Sequence, residues 1–135
     1  MMTLAFALAV DRAPAQQADD VAPAPADAAP CRQQEAFRAF DFWVGEWEVR
    51  SADGRLAGHN RIESAQNGCV LVENWTGATG GSGMSMNYLD AATDEWVQLW
   101  TGAEGSQILI RGGLTDDGML LTGHIHYVGN GTTAA

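Results

Sequence analysis

From Cys31 onward, glycine-centred turns cut this chain into short apolar runs, and that punctuation restricts the fold more than any other feature. Asp53-Gly54, Asn67-Gly68 and Asp117-Gly118 are dipeptides that reverse a chain between two antiparallel strands. With sixteen glycines in 135 residues, the spacing predicts strands over Glu46–Ser51, Leu56–Ser64, Cys69–Thr76, Met84–Leu89, Trp96–Thr101, Ser106–Leu114 and Met119–Val128. Val, Ile, Thr and Trp are concentrated in these runs, as pleated, half-buried backbone requires. No stretch between them is long enough for a crossover helix, so the sheet is expected to be an antiparallel meander. Ahead of the first strand, Phe37, Phe40 and Val44 fall at i, i+3 and i+7 and predict one short helix. The segment Gly77–Gly83 reads as a mobile loop between the third and fourth strands.

Residues 1–30 read differently. Thr3–Val10 is apolar, too short to span a bilayer and of the length of a signal-peptide core, and Ala13-Pro14-Ala15 resembles a small-x-small cleavage site. No Lys or Arg precedes the run, and Asp11 and Arg12 follow it at once; a true start upstream of Met1 would account for both. Ala15–Pro30, rich in Ala, Pro, Gln and Asp, reads as a disordered tether. The expected organisation is a signal-like segment and linker over 1–30 and one folded domain over 31–135. Two cysteines, Cys31 and Cys69, are an even count in an exported domain, which points to a disulfide and a periplasmic or secreted location. No later segment is long or apolar enough to enter a membrane as a helix.

Charge narrows the partners. The net charge is −10 and all seven basic residues are Arg. Phosphate backbones and anionic lipid surfaces are bound by clustered cations, so nucleic acid and membrane surfaces are excluded as expected partners. No catalytic motif is present: Gly83-Met84-Ser85-Met86-Asn87 lacks the closing glycine of a nucleophile elbow, and Gly77–Gly83 lacks the Gly-Lys-Ser/Thr ending of a phosphate loop. His124 and His126 share one strand face, but without a third ligand in a metal-binding pattern neither a metal nor another cofactor is expected.

Four motifs, Phe40–Val49 (FDFWVGEWEV), Gly58–Glu63 (GHNRIE), Gly68–Trp75 (GCVLVENW) and Trp96–Trp100 (WVQLW), resemble those of an uncharacterised exported bacterial family with a lipocalin-like (calycin) β-barrel, a domain of unknown function. The resemblance implies an all-β, lipocalin-like meander barrel with an internal cavity. It also implies that Trp47, in Gly45-x-Trp47, packs under the short helix at the closed end. Members of that family continue for several strands beyond Tyr127. The expectation here is therefore a barrel incomplete at the C-terminus, with two free edges that invite self-association.

Period-two alternation places Cys69, Leu71, Glu73 and Trp75 on one face of the third strand, Ser85, Asn87 and Leu89 on one face of the fourth, and Trp96, Gln98 and Trp100 on one face of the fifth. If the Trp-bearing faces point inward, Glu73, Trp75, Asn87, Trp96, Gln98 and Trp100 line a ligand site. A few polar groups among aromatic walls is how small-molecule cavities fix orientation. The expected function is binding of a small, partly apolar molecule. The alternatives are an enzyme using Glu73 as a buried acid, and a structural or partner-binding β module.

Overall fold

The computed structural model describes residues 29–135. The signal-like segment and most of the tether lie outside them. The last two tether residues are described, and they belong to the domain: Ala29 is buried and Pro30 opens the first helical turn.

Where one helix was expected there are two single turns, α1 (Pro30–Gln33) and α2 (Glu35–Arg38), followed by a 3₁₀ turn over Asp41–Trp43. The extended backbone of Gln34 breaks the run between them. Because α2 ends at Arg38 and a 3₁₀ turn with extended Val44 follows, Val44 leaves the apolar face and is exposed, while Phe37, Phe40 and Trp43 stay together.

Eight strands follow: β1 (Gly45–Arg50), β2 (Leu56–Ala65), β3 (Val70–Gly77), β4 (Ser82–Asp90), β5 (Glu95–Gly102), β6 (Ser106–Thr115), β7 (Gly118–Tyr127) and β8 (Thr132–Ala134). Each pairs antiparallel with the next, in the order β1-β2-β3-β4-β5-β6-β7-β8. The seven expected strands are present within two residues at each end. The eighth, three residues opposite Ile125–Tyr127, was not anticipated. Among the described residues β1 and β8 do not pair, so the sheet is open. Its free edges are β1 on one side and, on the other, β8 with the part of β7 that β8 leaves uncovered.

Each strand turns alternate side chains to an inner and an outer face. The helical turns lie against the inner face at one end of the sheet. There Phe40, Ile62, Leu71, Leu89 and Trp96 form the buried core, with Phe37, Trp43, Met119 and Leu121 around it. Phe40 stacks on Trp43 at 4.9 Å and meets Trp96 edge-on at 5.3 Å, both favoured aromatic geometries. The Trp96 indole N–H donates to the Ala36 carbonyl at 3.3 Å, which fixes α2 on β5.

Trp47 does not take the covering position that the family resemblance implied. Its side chain is 44% exposed on the edge strand, with its indole N–H donating to the Trp43 carbonyl at 2.7 Å. Phe40 and Trp96 seal the end instead. A disulfide joins Cys31 to Cys69 with Cα atoms 5.0 Å apart, as the cysteine count suggested. It ties α1 to the tight turn that leads into β3, and it is evidence for folding in an oxidising compartment.

Candidate functional site

The other end of the inner face is lined very differently. On β3, Glu73 follows the core residue Leu71 along the same face, and Trp75 follows Glu73. Register sets Glu73 opposite Ile62 on β2 and Ser85 on β4, and sets Asn87 opposite Gln98 on β5. Five polar side chains from four adjacent strands therefore share one patch: Asn60, Glu73, Ser85, Asn87 and Gln98.

Glu73 is the hub of this patch and only 7% exposed. Its Oε1 accepts from Asn60 Nδ2 at 2.6 Å, and its Oε2 accepts from Ser85 Oγ at 2.6 Å and from Gln98 Nε2 at 3.2 Å. Ser85 Oγ in turn accepts from Asn87 Nδ2 at 2.8 Å and from Gln98 Nε2 at 3.4 Å, which leaves its own proton for Glu73. Both carboxylate oxygens thus act as acceptors, so the network is organised around the ionised form. Its donors are all neutral, and among the described residues no ion pair involves Glu73.

Two acceptors in the cluster are left over. Asn60 Oδ1 and Asn87 Oδ1 are buried and have no hydrogen-bond partner. Neither is explained by turning the amide round. Asn60 Nδ2 faces a carboxylate, and Asn87 Nδ2 faces the Leu71 carbonyl at 3.3 Å, and both of these can only accept. Orphaned buried acceptors cost about 1–3 kcal/mol each unless something donates to them.

Two indoles stand beside the patch. Trp75 lies across Gly58 of β2, where an added Cβ would come within 2.5 Å of its ring, and Trp100 lies across Gly83 of β4, where one would come within 2.2 Å. A side chain at either glycine would push the ring away, so these two positions set how the indoles lie. Between the rings, at the open end of the sheet, is a cleft of about 280 Å³ lined by Trp75, Gly80, Gly81, Ser82, Trp100 and Glu104. Glu104 is a second carboxylate on its rim. It accepts from the Ser106 hydroxyl, which holds its carboxyl below the usual carboxylate range.

The structure brings Glu73, Trp75, Asn87, Gln98 and Trp100 to one end of the inner face. Trp96 is not with them: it is 3% exposed and belongs to the core at the opposite end. Asn60, Ser85 and Glu104 complete the site and were not picked out from the sequence. Strand parity alone places Ser85 with Asn87, and the same count along β2 would have placed Asn60 beside Ile62. The segment after β3 is shorter than the Gly77–Gly83 loop expected, because β3 runs to Gly77 and β4 begins at Ser82, with Gly77 N–H donating to Gly81 O at 3.0 Å.

The other concavities do not bring Trp75 and Trp100 together, although the first of them reaches Asn60 of the cluster. One of about 540 Å³ over β1–β3 is lined mainly by outer-face residues, including Glu46, Glu48, His59 and Arg61, whose charged members are largely exposed. Another, of about 440 Å³, lies among Leu99, Leu109, His124 and His126. His126 Nδ1 is within 2.9 Å of Thr133 Oγ1 there, and among the described residues no three His, Cys, Asp or Glu side chains are grouped to hold a metal ion.

Comparison with protein-family models, with curated proteins and with solved structures gave no match. Function is therefore argued from the site itself.

Proposed function

We propose that this protein binds a small, partly apolar molecule at the open end of the inner face. The apolar part would sit between Trp75 and Trp100, and the polar part would reach the Glu73 cluster. The observation that carries this reading is the pair of buried, unpartnered amide oxygens on Asn60 and Asn87 in a cluster beside an aromatic cleft. Filled cores satisfy their polar groups, whereas a binding site leaves some for its ligand.

An inner-face site at the end away from the sealing aromatics also accords with the lipocalin-like barrel that the motifs resemble. The disulfide accords with an exported, periplasmic or secreted setting. Native mass spectrometry of the full-length protein, purified from its own cells, tests the reading. A discrete adduct on the native protein that is lost in the Trp75→Leu/Trp100→Leu variant is the expected result. An adduct-free native protein, or an adduct the double variant retains, would count against it.

One further observation supports a second reading, a partner-binding module. The exposed edge of β7 carries no Asp, Glu, Lys or Arg over its ten residues, unlike β1, which carries Glu46, Glu48 and Arg50. An uncharged open edge lacks the usual protection against pairing with another strand, and a second copy of this chain is the simplest partner.

A further inference from the structure

The polar cluster that adjoins the cleft along the inner face is one-signed, and it bears on the chemistry a ligand would bring. Every unpartnered buried side-chain atom in the cluster is an acceptor, namely Asn60 Oδ1 and Asn87 Oδ1. At its centre Glu73 is a buried carboxylate hydrogen-bonded only by amides and a hydroxyl. Burying a charge without an opposite charge is costly, so a site of this kind is completed by a cation. The flanking surfaces favour the same sign. An indole face attracts cations through its ring quadrupole, and the cleft has two indoles in its wall. The rim adds the carboxylate of Glu104 and no basic residue. A ligand carboxylate or phosphate would face the Glu104 carboxylate on the rim and the Glu73 carboxylate beyond it, with no basic residue in the cleft wall to offset them; a neutral alcohol would leave the Glu73 charge uncompensated.

Resting on the binding site proposed above, we infer that its ligand carries a protonated amine, seated between the indoles of Trp75 and Trp100 with its N–H groups directed at the Glu73 cluster. Glu73 would supply the charge, and Trp75 and Trp100 the aromatic walls.

Three probes of nearly one shape separate the charge from the rest of the molecule: phenethylamine, phenethyl alcohol and hydrocinnamate, each titrated calorimetrically into the full chain at neutral pH. Phenethylamine is expected to bind about tenfold or more tighter than phenethyl alcohol, since charge-assisted hydrogen bonds are roughly twice as strong as neutral ones. Hydrocinnamate is expected not to bind. Glu73→Gln, which keeps the shape of the side chain, should weaken the amine about tenfold and abolish its preference over the alcohol, with far-ultraviolet circular dichroism reporting that the variant is folded. The preference within the native protein needs no variant at all.

Alcohol binding as tight as the amine, with both weakened by Trp100→Leu, would overturn the inference about charge and leave the binding site standing. Amine binding that Glu73→Gln does not change would overturn the role given to Glu73. If none of the three probes bound, the site and the inference resting on it would fall together.

Discussion

Removing the Cys31–Cys69 cross-link tests how the helical segment is held on the sheet. The perturbation is the double substitution Cys31→Ala/Cys69→Ala. The two cysteines are 38 residues apart in sequence, and the loop they close contains α2, β1 and β2 as well as the core aromatics Phe37, Phe40 and Trp43. For a loop of that length, loop-closure entropy in the unfolded chain gives about 4 kcal/mol of stabilisation at 25 °C. A domain of this size has a total stability of about 5–15 kcal/mol, so the loss is a large fraction of it. Urea unfolding followed by tryptophan fluorescence and by far-ultraviolet circular dichroism measures it, the coincidence of the two transitions checking two-state behaviour. With a denaturant slope of about 2 kcal/mol/M, the midpoint should fall by about 2 M at unchanged slope. A fall of less than about 0.5 M would show that the bridge adds little beyond the packing of Phe40 on Trp96, and would refute the reasoning.

Three other outcomes are expected. Gly83→Ala should displace the Trp100 ring, whose nearest atom is 2.2 Å from the added Cβ, and destabilise the protein by about 1–3 kcal/mol in the same urea assay. Asp53 should titrate below its ordinary value of 3.8, because Ser51 and then Arg55 hydrogen-bond to its carboxylate. A depressed carboxyl contributes stability that is present above its unfolded value and lost as the pH falls through its folded value, so the β1–β2 turn should loosen only below about pH 4, as an NMR titration of Asp53 would report. Sedimentation should show concentration-dependent association that Leu120→Lys, a charge placed on the exposed face of β7, reduces; a monomer at all concentrations would remove the partner-binding reading.

Much of the sheet was legible because its signals are local. Asp-Gly and Asn-Gly turns fix where strands end, and a period of two fixes which side chains share a face, so Glu73, Trp75, Asn87, Gln98 and Trp100 were placed together from the chain alone. Trp96 was misplaced because parity gives the face and not the position along it. One end of the inner face is core and the other is cleft, and only register and the position of Phe40 separate Trp96 from Trp100. Trp47 was misjudged for a related reason: Gly45-x-Trp47 carries no information about whether Phe40 has already filled the sealed end. The expected helix did not run through Phe37, Phe40 and Val44, because three apolar positions over so few residues are too sparse to hold it past Arg38. Asn60 and Ser85 are polar residues of ordinary appearance, and they become notable only once hydrogen bonds converge on Glu73.

The central claim, that the cleft between two particular indoles is the binding site, is tested most directly by NMR of the tryptophan side chains. The chain has five tryptophans, and each contributes one indole N–H. On titration with phenethylamine, the Trp75 and Trp100 signals should move together along one saturable curve. Those of Trp43 and Trp47, which lie at the other end and on the edge strand, should stay fixed. Unchanged Trp75 and Trp100 signals, or a saturable shift confined to Trp43 and Trp47, would contradict the account.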